Sequence, residues 1–302
     1  MLSAKEIKET AAEIGFDLCG IAPCRRLEET ERRFRDWLAA GRQADLHYLE
    51  RNLDKRFDPR RLVEGAQSVA VCAVNYKNAF SLGYADEWPA KIASYALNRD
   101  YHRTLKEMLR TLLLRLRERY PALQGRAFTD SAPLVEKRLA VEAGLGWIGR
   151  QSLLVTPQFG SFVLLGEVVL TEPCDRYDEP FSESRCGSCR ACVEHCPTGA
   201  VCGERTIDAG RCISCHTVEN AAGVAPRSLH GWIFGCDCCQ SCCPYNLRTP
   251  LASHPAFRSP LDPLAFDCER WLRMTEEEFD AAFGLTPLTR SGLERIRRNL
   301  GR

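Results

Sequence analysis

Apolar and polar positions along this chain follow two periods, and the elements change where the period changes. From Tyr101 to Tyr120 the residues Leu105, Met108, Leu109, Leu112, Leu113 and Leu116 recur three and four apart, which predicts a long amphipathic helix with one buried stripe. Pro121 ends it, because its ring cannot continue the backbone hydrogen bonding. The opposite face carries Arg103, Lys106, Arg110, Arg115, Arg117 and Arg119, a solvated surface or a place for phosphates. A second amphipathic helix is expected at the N-terminus, MLSAKEIKETAAEIG. Phe16–Ala22, Ser68–Asn75 and Ser161–Thr171 are short runs rich in β-branched and apolar residues and read as strands. Pro133–Ala143 predicts another helix, with proline in its first turn and Gly144 breaking it. The loop GLGWIGRQ then leads into the last of the three strands.

After Glu172 the texture shifts. Turn residues and cysteines replace long apolar periods as far as Pro244, the signature of a small domain held together by metal. Two helices, around Thr275–Phe283 and Arg290–Leu300, should pack back onto the body, with Arg295, Arg297, Arg298 and Arg302 complementing a helix C-terminus. The expected class is α+β, in three parts: an α/β domain over residues 1–172, a cysteine-rich domain over 173–250 and a helical segment over 251–302. A chain of 302 residues with 45% hydrophobic content can bury a full core, and its length favours more than one domain.

Charge narrows the partners. Lys plus Arg (41) and Asp plus Glu (40) nearly cancel, so a polyanion must be met by a local patch. No stretch approaches the ~20 apolar residues of a membrane span. The N-terminus does not read as a signal peptide, so a cytoplasmic location without a membrane partner is expected. Seventeen cysteines, an odd number gathered mainly in one third of the chain, argue against a disulfide framework and for metal ligation.

The run Cys186-x2-Cys189-x2-Cys192-x3-Cys196-Pro197 has the spacing that wraps three thiolates around one 4Fe-4S cube and sends the fourth to another. Its second half is Cys236-x2-Cys239-x3-Cys243-Pro244, with Cys212 as upstream ligand. The two-cluster rule assigns Cys186, Cys189, Cys192 and Cys243 to one cluster, and Cys196, Cys212, Cys236 and Cys239 to the other. Paired zinc sites use similar CxxC units, but the repeated three-cysteine run ending in Cys-Pro favours iron and sulfide. Cys215 rivals Cys212, and Cys238 and Cys242 crowd the same segment; Cys19, Cys24, Cys72, Cys174, Cys202 and Cys268 read as small buried hydrophobes or idle thiols. Two cubes make an electron relay, so the first domain is expected to hold the acceptor, a cofactor or a substrate.

Within that domain Gly144-x-Gly146-x-x-Gly149 matches the dinucleotide fingerprint in letters only, because the helix precedes it and the strand follows. Its glycines read instead as a tight loop that lets something approach the backbone closely. Asp130, in FTDSAPLVEK, is either a turn or capping residue or a general acid in a pocket whose apolar surroundings raise its pKa. His102 in RDYH reads as a structural histidine. His47, in DLHYLE, fails the Asp-x-His-x-x-Gly pattern of histidine-ligated cobalamin.

Together, LNRDYH (97–102), TDSAPLVEK (129–137), GLGWIGRQS (144–152), CGSCRACVEHCPTGAV (186–201), RCISC (211–215) and GCDCCQSCCPYN (235–246) resemble, in order, the epoxyqueuosine reductase family of iron-sulfur, cobalamin-dependent tRNA-modifying oxidoreductases. The resemblance covers roughly residues 1 to 250. It implies two-electron reduction of epoxyqueuosine to queuosine at the wobble position of a tRNA anticodon stem-loop, by a monomer fed by an external low-potential electron donor. It also implies Asp130 as the catalytic acid and a cobalamin between the first domain and the clusters. Tyr101, His102, Ser131, Gly144, Gly146, Trp147, Ile148 and Gly149 become the implied cofactor-binding residues, and Arg103, Lys106 and Arg110 candidates for the tRNA phosphates. The chain departs from many relatives by stopping 58 residues after Pro244, by Arg150-Gln151 in place of Lys-Asn, and by the extra Cys238 and Cys242. Two other readings are a reductive-dehalogenase-like enzyme acting on a small molecule and a two-cluster electron-transfer protein without a cofactor of its own.

Overall fold

The computed structural model describes residues 1–85, 87–219, 228–258 and 260–300. Helix α1 (Ala4–Ile14) leads into strand β1 (Leu18–Pro23), α2 (Glu28–Ala39) follows, and β2 (Ser68–Asn75) runs back antiparallel to β1. Two further strands, β3 (Gly125–Phe128) and β4 (Val163–Leu170), complete an antiparallel sheet in the order β1-β2-β4-β3. The long helix α3 (Tyr101–Arg119) and the short α4 (Glu136–Glu142) lie on opposite faces of it.

Strand periodicity sorts the core into two layers. Ala70, Cys72 and Val74 of β2, with Leu164, Val168 and Leu170 of β4, pack against α1 and the leucine stripe of α3. Val69, Val71 and Ala73, with Leu165 and Val169, pack against Leu139, Ala140 and Val141 of α4. With both faces covered, all eight residues of β2 are buried and no alternation of polar and apolar residues is needed. Glu167 of β4 belongs by register to the α4 face and is wholly buried among these apolar residues. Gly20 permits the tightest contact in this layer: a Cβ there would stand 1.9 Å from the carbonyl oxygen of Ala143.

The three expected strands and the long helix are present, with ends shifted by one or two residues. The helix expected from Pro133 starts only at Glu136, because the chain first turns through a left-handed Asp130 and a tight Ala132–Leu134 hydrogen bond. Strand β3, GRAF, carries no apolar pattern; its pairing with β4 creates it.

In the cysteine-rich segment only short elements form, among them helical turns at Ala191–Glu194, Cys238–Ser241 and Pro244–Leu247. Trp232–Phe234 pairs in parallel with Lys91–Ile92. The chain closes with α5 (Cys268–Arg273), α6 (Glu276–Phe283) and α7 (Gly292–Asn299), α6 starting in a Thr275–Glu278 capping box. Trp271, Phe279, Phe283, Leu293 and Ile296 share one core with Ile92 and Leu97 and with Ile233 and Phe234. Arg295 and Arg297 do not serve their own helix end as expected: they donate to the carbonyls of Val218 (2.7 Å) and Trp271 (3.1 Å), tying α7 to its neighbours. Arg302 lies outside the described residues. Among the described residues no helix is long and apolar enough to cross a membrane.

Candidate active site and cysteine centre

Asp130 lies two residues beyond the end of β3 and is fixed from both sides. Thr129 Oγ1 donates to the carbonyl of Leu165 (2.9 Å), and the Asp130 N–H donates to Glu136 Oε1. Its φ of +54° is left-handed, a conformation that costs a residue with a Cβ roughly 1–2 kcal/mol. Asp130 is therefore held by the turn rather than capping α4, as one expectation had it. Its side chain is 44% accessible, yet burial still weighs against its charge, so it is partly enclosed and open to solvent on one side.

The N-terminus of α3 brings the partner. Asp100 caps this helix by accepting from the His102 N–H, and the same oxygen lies 2.7 Å from His102 Nδ1. On the other side of the ring Nε2 lies 2.7 Å from Asp130 Oδ2. Tyr101 stacks on this ring at 4.1 Å between centroids, and burial, then the Asp130 charge, raises the pKa of its hydroxyl. Burial disfavours a charged imidazole here, but hydrogen bonds and charge from Asp100 and Asp130 prevail, and the His102 pKa is pushed up to about 9. The His102 hydrogen bond in turn holds Asp130 below its ordinary value in spite of burial. The sequence expectation was the reverse, an Asp130 raised by apolar surroundings. The correction has a simple cause: a cation 2.7 Å away outweighs partial desolvation, so the resting proton belongs to the imidazole.

Further charged groups converge from remote segments. Glu136, the residue that holds the Asp130 N–H, is pushed up to about 7 by burial and then by the Asp130 charge. Glu167 reaches Glu136 from β4 and is raised well above the usual carboxylate range, by burial first. Lys137, exposed to solvent, donates from Nζ to the carbonyl of Ser152 (2.7 Å). Arg290, ahead of α7, pairs with Glu219 (2.6 Å) and bears electrostatically on Asp130. Sequence reasoning passed over Glu136, Glu167, Lys137 and Arg290. Only Glu167 left a signal, a lone charge inside an apolar strand.

The glycine loop is tight, as expected, and the chain itself approaches its backbone. A Cβ on Gly146 would lie 2.1 Å from the Val155 carbonyl oxygen, and one on Gly144 2.9 Å from that of Glu179. At Gly149 it would meet the buried Gln151 side chain at 2.3 Å. These missing side chains make room for the chain itself. Trp147 and Ile148 pair with Val155 and Leu154 in a small antiparallel ladder, and no helix follows, so the dinucleotide fingerprint is absent in structure as well. Trp147 is 2% exposed, packs edge-on against Tyr245 (4.8 Å), and sets its indole N–H, which has no hydrogen-bond partner within the chain, beside Cys186. It faces the cysteine array. His47 sits on an exposed turn 3.1 Å from Glu50.

In that array the thiols lie close enough to act on one another, Cys192 bearing on Cys239 and both Cys192 and Cys243 on Cys242. Cys243, Cys186 and Cys189 bear on Cys192, whereas Cys212 and Cys196 bear on Cys239. Cys236 adjoins Cys238 and Cys239, and Cys215 adjoins Cys212. Among the described residues no three His, Cys, Asp or Glu side chains converge as a cage for a single ion, so the grouping rests on the neighbourhood of the thiols. The unpartnered indole N–H beside Cys186 suits a sulfur acceptor, the atom that a bound cluster presents there. A concavity lined by Phe266, Arg270, Arg273 and Met274 on the C-terminal helices contains none of the expected site residues.

Two family models match the chain: epoxyqueuosine reductase QueG, DUF1730, over residues 56–131, and the 4Fe-4S double cluster binding domain over residues 185–246. An epoxyqueuosine reductase of Cyclobacterium marinum is 38% identical over 297 residues, 97% of this chain and 94% of that protein. One from Synechocystis is 36% identical over 93% of this chain and 98% of its own length. Among solved structures, an epoxyqueuosine reductase with an epoxyqueuosine-modified tRNA-Tyr stem loop superposes with a TM-score of 0.86 at 27% identity, covering 98% of this chain and 79% of the other. The Bacillus subtilis enzyme, whose aspartate-bearing catalytic loop is swung out of its active site, superposes with a TM-score of 0.85, also at 27% identity and the same coverage.

Proposed function

The chain belongs to the epoxyqueuosine reductase family, and on that premise we propose that Asp130, recharged by His102, delivers the proton that lets the epoxide oxygen of epoxyqueuosine depart. The substrate is the modified base in a tRNA anticodon stem-loop, entering the open cleft above Asp130, and the product is queuosine. An alkoxide is a poor leaving group at neutral pH, so an acid must meet the oxygen as the carbon–oxygen bond breaks. The observation that carries this reading is the Asp100–His102–Asp130 chain, closed by two contacts of 2.7 Å and open to solvent at Asp130. Asp130 then acts as the conduit and His102 as the bearer of the resting proton; Tyr101 orients both.

Electrons come from the cysteine-rich domain. Cys186, Cys189, Cys192 and Cys243 are assigned to one cluster, and Cys196, Cys212, Cys236 and Cys239 to the other. Cys212 is preferred to Cys215 because it bears on Cys239 and is itself influenced by Cys196. When bound, the two clusters supply electrons singly from an external low-potential donor, and cobalamin supplies a centre that passes them on as a pair. Asp130, Ser131 and Lys137 are exposed and available to face that cofactor beside Tyr101 and His102. Arg103, Lys106 and Arg110, exposed on the helix that presents His102, are suited to hold phosphates of a base splayed into the cleft.

The test is direct. Anaerobically purified, cobalamin-loaded protein is incubated with epoxyqueuosine-containing tRNA and a low-potential reductant, and the nucleosides are analysed by mass spectrometry. Queuosine should appear; its absence, with both clusters intact, overturns the assignment.

A further inference from the structure

Reducing an epoxide to an alkene consumes more protons than a single acid supplies. Both carbon–oxygen bonds break, a carbon–carbon double bond forms, and the oxygen leaves as water, so each turnover takes up two electrons and two protons. The electrons come from the external reductant. One proton stands on His102. Nothing in the Asp100–His102–Asp130 chain holds the second, because once His102 discharges, all three groups are spent.

We propose that Glu136 and Glu167 form a buried proton store behind Asp130 and supply the second proton of the reaction through it. The inference rests on the reading of Asp130 given above and extends it to two residues with no assigned role. Its geometric basis is the state of Glu167. The residue is 0% exposed, and neither carboxylate oxygen has a hydrogen-bond partner. A charged carboxylate left so is among the costliest arrangements a protein can bury, and it neutralises by keeping a proton. The side chain whose charge bears most on it is another carboxyl group, Glu136, and two neighbouring carboxyl groups are stable when one of them keeps a proton. Glu136 in turn accepts from the Asp130 N–H, so the pair abuts the turn that carries the acid.

The other groups facing the pair favour release on demand. Lys137, adjacent on α4, draws charge onto Glu136, while the Asp130 carboxylate opposes it. From the opposite side of the sheet Cys72 feels the Glu167 charge. His102, Tyr101 and Arg290 act on Asp130 itself. While His102 is charged, Asp130 has little affinity for a proton. After His102 has discharged, the chief influence that lowers Asp130 is gone, its proton affinity rises, and it becomes the acceptor for the Glu136 proton. The pair is then left with one negative charge to be refilled from solvent through the cleft.

Two isosteric variants, Glu167→Gln and Glu136→Gln, test this in the full-length protein. In the resting protein, infrared difference spectra across a pH titration should show a protonated carboxyl band at neutral pH that Glu167→Gln removes. With the loaded enzyme and modified stem-loop, wild-type kcat should fall as pH rises through about 7, where Glu136 empties. Either variant should lower kcat about tenfold or more, leave the KM for the stem-loop unchanged, and abolish that limb of the pH profile. A purely structural role would move neither the limb nor the band. If the wild type lacks the band, or the active variants keep the wild-type rate and pH profile, the store is overturned. A wild type that shows the band but reduces no epoxyqueuosine instead overturns the function, and with it the destination of the proton.

Discussion

The cysteine array and the carboxylate cleft gather charge in opposite ways. The array draws its assigned ligands mainly from two runs, Cys186–Cys196 and Cys236–Cys243, in which cysteines recur three or four residues apart, so that within each run sequence neighbours are also neighbours in space. The cleft assembles Asp100 and His102 from the start of one helix, Asp130 and Glu136 from a strand-to-helix turn, Glu167 from the middle of a strand, and Arg290 from the far end of the chain. A metal site with fixed bond lengths imposes a spacing on the chain. A proton site needs only groups within hydrogen-bond reach, and any topology that delivers them suffices.

That contrast can be broken first at the array. Cys239→Ser should lose about half the iron and nearly all turnover, since one missing ligand opens one cube and severs the relay. The same change at Cys215 should leave the iron content unchanged; loss of iron there would move the ligand from Cys212 to Cys215. At the cleft the effect is smaller and leaves the metal alone. Asp130→Asn, which tolerates the left-handed backbone, should retain both clusters and bound cobalamin yet slow turnover by about 10²–10⁴-fold in single-turnover nucleoside assays.

Gly146→Ala tests whether the loop serves packing. A methyl 2.1 Å from a carbonyl oxygen forces backbone movement, and thermal melting should report a loss of about 1–3 kcal/mol. The smallest effect is expected from Asp100→Ala. It removes a helix cap worth about 1 kcal/mol and one of the two anions beside His102. The His102 pKa, pushed up to about 9 from 6.5, contributes stability that is fully present below pH 6.5 and lost as pH rises through 9. Melting temperatures across that window should fall in the wild type and change less in the variant.

The sequence made the array legible as a double-cluster segment and the long helix legible to its leucine stripe. It also exposed Asp130, through a family resemblance rather than through physics. It misjudged the electrostatics there because the cation that decides them, His102, is 28 residues away and reaches Asp130 only after α3 has docked on the sheet. Glu167 was visible as an anomaly in an apolar strand, but its partner was not, since strand register and helix packing together set Glu136 against it. The glycine loop shows the same division: a Gly-rich segment signals close approach but not what approaches, and at Gly146 it is the carbonyl of Val155.

By itself, then, the sequence determined whatever depends on local periodicity and spacing: the amphipathic helix, the buried strands and the double-cluster cysteine runs. Tertiary structure alone decided where protons reside, because a pKa is set by the charges and dielectric within a few ångströms, and in this protein those come from segments that meet only in the fold.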